Sequence, residues 1–183
     1  LNILGTHDTP RILTLLGAAH TPETKQARAD YHLSPAELAR GKAKLRLAGM
    51  LLYSFPGSPT LFYGDEAGMQ GFEDPLNRGT FPWGGEDAAL TAFFRTLGGL
   101  RQRESLRRGR LAYIRAEGGC LVIERAADGE RTVTALNAGD APVELALPWD
   151  APTARDGVTG QRFLTEGGVL RVTLPPLDGM ILV

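Results

Sequence analysis

Hydrophobic and polar positions along the 183-residue chain change their period near residue 108, and that change organises everything else. A short apolar run over residues 1–5 is compact enough for a buried strand and ends in the polar tip Thr6-His7-Asp8-Thr9. Pro10 then opens a brief apolar helix reaching Gly17. Residues 20–33 are mixed and polar, which predicts a loop or a marginal helix. A firmer helix is predicted over residues 34–54. Ser34 can cap free amides, Pro35 suits the first helical position, and Glu37 stands where a capping box needs it. Leu38, Leu45 and Leu52 share a face with Ala48 and Leu51, opposite Arg40, Lys42, Lys44 and Arg46. Residues 60–63 form an unalternating apolar run, the pattern of a strand covered on both faces, and Gly64 precedes Asp65 and Glu66.

A loop rich in Gly and Pro is predicted over residues 67–85, long enough to suggest binding or disorder. The helix expected over residues 86–103 carries Glu86 and Asp87 at its start, Arg101 and Arg103 at its end, and a stripe of Leu90, Phe93, Phe94, Leu97 and Leu100. Beyond it the pattern is extended, with candidate strands over residues 111–115, 120–125, 132–137, 143–147, 170–174 and 180–183. Leu170, Val172 and Leu174 alternate with Arg171 and Thr173, as a sheet with one wet face requires. The expected organisation is α/β followed by all-β: residues 1–107 as strand-helix units and residues 108–183 as an antiparallel β-sandwich.

Composition narrows the function classes. The chain has 20 basic and 21 acidic residues and no basic block, so nucleic acid is not an expected partner. No apolar run approaches the roughly 20 residues needed to span a bilayer, so a membrane is not expected either, and the working expectation for localisation is cytoplasmic. Cys120 is the single cysteine and sits in a strand pattern, which reads as a structural thiol.

Two strand ends carry the candidate chemistry, His7-Asp8 and Asp65-Glu66, matching the way parallel α/β architectures present ligand-contacting residues at the carboxyl edge. For each pair, direct function and turn or cap roles both stay open. Histidine can donate to a substrate hydroxyl and an ionised Asp can accept two, which suits carbohydrate recognition. One His among scattered carboxylates has no ligand spacing, so no metal site is assigned and zinc is not expected.

The segments Gly5-Thr6-His7-Asp8-Thr9-Pro10-Arg11 and Gly57 through Met69, which contains Phe62-Tyr63-Gly64-Asp65-Glu66, resemble the last two strand-end motifs of alpha-amylase family glycoside hydrolases. Asp74-Pro75-Leu76-Asn77-Arg78 followed by Phe81-Pro82-Trp83 resembles the loop after the last barrel strand in neopullulanase, maltogenic amylase and cyclomaltodextrinase relatives. The resemblance implies the last two β/α units of a (β/α)8 TIM barrel followed by an antiparallel β-sandwich, and a retaining α-glucan hydrolase acting on maltodextrin, cyclodextrin or pullulan. It implies that His7 and Asp8 hold hydroxyls of the sugar whose ring acquires oxocarbenium character, and that Asp74 and Arg78 line donor-side subsites. Arg11 is left between an ion pair behind the site and a helix-surface role, while Asp65 and Glu66 are implied to be architectural. Trp83 and Phe81 are open to sugar stacking or core packing, and Tyr63 is expected in the core.

Retaining hydrolysis needs two carboxylates about 5 Å apart. The family carries them on its fourth and fifth strands, and no residue here matches either motif. The expectation is therefore a carboxyl-terminal fragment, inactive alone, whose partners are an α-glucan oligosaccharide and a missing amino-terminal barrel portion. No cofactor is expected from these residues; calcium and homodimerisation are open to the full-length enzyme. The alternatives are a transglycosidase of the same family and a noncatalytic carbohydrate-binding module.

Overall fold

A computed structural model describes all residues from Leu1 to Val183. The elements in order are β1 (Asn2–Ile3), α1 (Ile12–Gly17), α2 (Lys25–Asp30), α3 (Pro35–Ser54), β2 (Pro59–Thr60), α4 (Ala88–Leu100), α5 (Glu104–Arg108) and β3 (Arg110–Glu117). There follow β4 (Cys120–Ala127), β5 (Glu130–Asn137), β6 (Val143–Pro148), β7 (Thr153–Arg155), β8 (Arg162–Glu166), β9 (Val169–Leu174) and β10 (Asp178–Leu182). Two compact units result, one of residues 1–48 and 57–95, the other of residues 49–56 and 96–183. None of the helices is long and apolar enough to cross a membrane.

In the first unit β1 and β2 pair in parallel, with Asn2 opposite Pro59 and Ile3 opposite Thr60. The strand expected over residues 60–63 is thus confined to its first residue and Pro59. Beyond Thr60 the chain turns, with Asp65 N–H donating to Phe62 C=O and Ala67 N–H to Gly64 C=O. Those local bonds satisfy backbone groups that a ladder would otherwise need.

Helix α3 starts as its capping chemistry demands. The Ser34 hydroxyl accepts from the Glu37 amide at 3.4 Å, and Glu37 Oε2 accepts from the Ser34 amide at 2.9 Å. Glu37 also accepts from the Ala19 amide and the Tyr31 hydroxyl. Its carboxyl is lowered to about 2, chiefly by the Tyr31 hydrogen bond and then by the backbone donors. Helix α1 packs on α3 through two glycines: a Cβ on Gly41 would lie 3.0 Å from Gly17 Cα, and one on Gly17 would lie 2.9 Å from Glu37 C=O. Only residues without a side chain allow backbones that close.

Helix α4 begins where Asp87 Oδ1 accepts from the Leu90 amide at 2.9 Å, and Lys42 pairs with the same carboxylate. Leu90, Phe93, Phe94 and Leu97 are buried along the stripe expected for this helix. The helix expected over residues 86–103 is shorter, Ala88–Leu100, because turns at Gln102 and Arg103 end its ladder, and the separate helix α5 begins only beyond the expected end.

The second unit holds two four-stranded sheets, in the orders β10-β5-β4-β3 and β6-β9-β8-β7, with antiparallel neighbours throughout. Their facing residues form one core of Val122, Val133, Ala135, Leu145, Leu147, Trp149, Leu170, Val172, Leu174 and Leu182, with Cys120 buried among them. This is the sandwich expected from the period-two pattern. Strands β7 and β8 lack a sequence expectation: β7 has three residues, and β8 presents exposed Arg162, Leu164 and Glu166. Arg125, buried on β4, donates to the carbonyls of Ser54 at 2.7 Å and Gly109 at 3.0 Å, while the Thr134 hydroxyl bonds the Ser54 hydroxyl at 2.7 Å. That guanidinium serves the last turn of α3, whose free carbonyls favour a cation.

Candidate functional site

The tip after β1 is a tight turn. Thr9 Oγ1 accepts from the Thr6 amide at 2.9 Å, and Thr6 Oγ1 accepts from the Asp8 amide at 3.2 Å. This self-bonding lifts His7 and Asp8 into solvent, where their side chains are 64% and 70% exposed and His7 Nε2 lies 3.2 Å from Asp8 Oδ2. The loop at residues 74–78 meets the same turn. Arg78 Nε is 2.9 Å from Asp74 Oδ1, and its guanidinium NH2 is 3.6 Å from Asp8 Oδ1. His7, Asp8, Asp74 and Arg78 therefore form one exposed cluster with two acceptors and two donor-bearing groups, the inventory a polyhydroxyl ligand requires.

Asn77 holds the two loops together. It is fully buried, and its Nδ2 donates to the carbonyls of both His7 and Thr9 at 2.7 Å. Arg78 Nε adds a bond to the His7 carbonyl at 3.3 Å. The one sequence signal for Asn77 is its place within the Asp74–Arg78 motif. The loop is further anchored at Gly71, whose carbonyl accepts from the Arg11 amide at 2.9 Å and whose amide donates to Thr14 Oγ1 at 2.9 Å. A Cβ on Gly71 would stand 2.2 Å from the Leu76 carbonyl, so this close approach admits only glycine.

Beneath the turn lies Arg11, 1% exposed. Its guanidinium carbon sits 4.2 Å from the Phe62 ring centroid and 4.5 Å from that of Tyr63, and it donates to the Tyr63 carbonyl. Asp65 Oδ1 is 3.4 Å away with a side chain 1% exposed, so the helix-surface alternative for Arg11 does not hold. Burial raises the Asp65 carboxyl to about 6; the Arg11 charge and hydrogen bond oppose that rise, and the neighbouring Glu66 adds to it. Tyr63, expected in the core, is instead 42% exposed, with its hydroxyl donating to the Gly79 carbonyl at 2.8 Å.

Trp83 stands apart from this cluster. It is 84% exposed, so core packing is excluded for it in this chain, and its ring lies 4.6 Å from that of Phe81. Both border a separate cleft of about 430 Å³ that Glu66, Glu86, Thr91 and Arg95 also line. No group of three or more His, Cys, Asp or Glu side chains is placed to hold a metal ion.

Comparison with known proteins adds the following. Residues 101–181 match the family model described as the maltogenic amylase carboxyl-terminal domain. The chain is 32% identical over 200 residues to an amylopullulanase of Thermoanaerobacter thermohydrosulfuricus, a match covering 100% of this chain and 13% of that protein. It is 32% identical over 182 residues to a cyclomaltodextrinase of Geobacillus thermopakistaniensis, covering 96% of this chain and 27% of the relative. Among solved structures, an Anoxybacillus alpha-amylase superposes with a TM-score of 0.77 at 26% identity, covering 98% of this chain and 36% of the other. The chain thus spans well under a third of the length of these curated relatives.

Proposed function

Because the chain belongs to the alpha-amylase family, glycoside hydrolase family 13, and is related to its neopullulanases, maltogenic amylases and cyclomaltodextrinases, we propose that its exposed His7-Asp8-Asp74-Arg78 cluster binds an α-glucan. The protein carrying this chain is then a retaining hydrolase of α-1,4, and in some substrates α-1,6, glucosidic bonds. Residues 1–107 belong to its catalytic barrel and residues 108–183 to the sandwich that follows. The observation that carries this reading is the convergence of two loops, 71 residues apart in sequence at Arg78 and His7, on one solvent-facing set of hydroxyl-binding groups.

In this reading Asp8 accepts from two adjacent hydroxyls of the bound glucose ring and His7 donates to one of them. Positive character developing in the ring strengthens the contact to the Asp8 carboxylate, so the pair favours the transition state over the ground state. Asp74 and Arg78 hold the next sugar on the donor side. Asn77 and the Arg11–Asp65 pair touch no substrate; they keep both loops in register. The nucleophile and the general acid/base come from a part of the protein outside these residues, since His7 and Asp8 hold the ring and do not break the bond.

The test is hydrolysis of maltotetraose by the protein in which this chain is joined to a barrel portion bearing the two carboxylates. Asp8→Asn is expected to lower kcat/KM by a factor of about 100 or more, mainly in kcat, because the lost contact is strongest in the transition state. Activity within twofold of the unsubstituted enzyme refutes the assignment. Turnover of maltotetraose or pullulan by the 183-residue chain alone refutes the claim that the bond-breaking groups lie elsewhere.

A further inference from the structure

The aromatic cleft at the start of α4 has no part in the cluster described above. Trp83 presents its ring to solvent, supported from one side by Phe81 at 4.6 Å between centroids. Such a ring pair offers a large apolar face whose side chains have only two torsions each to fix on binding. Around it stand Glu66 and Glu86 as acceptors, Arg95 as a donor and Thr91 as either, in a cleft of about 430 Å³. Two carboxylates against one guanidinium disfavour an anionic ligand, and the mixture of donors and acceptors exceeds what a purely apolar ligand needs. A pyranose ring matches both demands: its axial C–H face lies flat on indole, and its equatorial hydroxyls reach outward to side chains at the rim.

We propose that Trp83, Phe81, Glu66, Glu86 and Arg95 form a second sugar site, separate from the His7–Asp8 cluster, that holds one glucose ring of an α-glucan chain by stacking. The choice of glucan over another pyranose rests on the proposed function; the stacking site itself does not. No hydrogen bond or ion pair joins a side chain lining the cleft to His7, Asp8, Asp74 or Arg78. Such a site would retain a polymer near the chain between encounters and raise its effective concentration.

The chain contains an internal control. Its other tryptophan, Trp149, is 6% exposed within the sandwich core, and its indole N–H donates to the Thr153 carbonyl at 3.2 Å. Maltotriose titrated into the isotopically labelled chain is expected to move the Trp83 indole resonance saturably and leave that of Trp149 in place. Trp83→Ala, at a position too exposed for folding to depend on it, is expected to weaken binding about tenfold or more, and Trp83→Tyr to restore most of it. The Trp83 shift should persist in Asp8→Asn. A Trp83 resonance unmoved by tens of millimolar maltotriose overturns the proposal, and so does a shift that disappears in Asp8→Asn, which would merge the two sites. His7 ring signals that respond while Trp83 stays still sink this site and leave the His7–Asp8 reading standing. A Trp83 response to cellotriose equal to that for maltotriose supports the stacking site and removes its link to α-glucan.

Discussion

Replacing Asp65 by Asn should flatten the dependence of stability on pH, and the buried ion pair beneath the candidate site says by how much. The Asp65 carboxyl stands at about 6 in the fold against 3.8 when unperturbed. Ionising it inside the protein is therefore about 3 kcal/mol less favourable than in water, even with Arg11 beside it. At 1% exposure, solvent screening removes little of that figure. The sign follows from proton binding. The folded state holds this proton more tightly than the unfolded chain, so the contribution to stability is full below 3.8 and is lost as pH rises through about 6. Between pH 5 and pH 7 the loss amounts to about 1 kcal/mol. Urea unfolding of both proteins at pH 5, 6 and 7 supplies the test, with the difference between them as the readout. Carboxyls held below their ordinary values, at Glu37, Glu73, Asp87 and Glu130, titrate under this window and are common to both proteins. The unsubstituted chain should lose stability relative to Asp65→Asn as pH rises, and Arg11→Met should extend that loss above pH 7 by removing the one cation in contact. Parallel curves for the two proteins, or a relative gain toward pH 7, would refute the argument that desolvation outweighs the Arg11 attraction.

Two further expectations concern the scaffold. Ser34→Ala should cost about 1 kcal/mol through the lost cap; Glu37→Gln should reduce the stability lost on acidification from 4.5 toward 2, because a lowered carboxyl stabilises above its unfolded value and ceases to as it is protonated. Thermal melts at pH 7 and pH 3 check both. Gly41→Leu should destabilise by about 1–3 kcal/mol although leucine is the better helix former, since the added side chain must displace Gly17 and Leu13; a raised unfolding midpoint would show that α1 and α3 can separate at no cost.

What the order of residues determined here was local. The reciprocal Ser34–Glu37 capping bonds that start α3 join residues within one turn, although the same Glu37 carboxylate also accepts from the Ala19 amide and the Tyr31 hydroxyl. The alternation through Val143 to Pro148 and Val169 to Leu174 places every second side chain in the sandwich core, since a pleated strand has no other way to turn. The Thr6–Thr9 turn, likewise self-bonded, makes the His7-Asp8 tip legible as a presented pair.

Contacts between distant segments were a different matter. The sequence left Arg11 between two roles, and only packing against Phe62, Tyr63 and Asp65, more than 50 residues away, made it a buried cation whose counter-ion titrates near 6. Asn77 carried no pattern of its own, and its importance arises from two carbonyls of a loop 68 and 70 residues earlier. Tyr63 is expected in the core and Trp83 is open between core packing and stacking, and both stand in solvent, because hydrophobicity is a property of a side chain whereas exposure depends on what the rest of the chain brings to cover it.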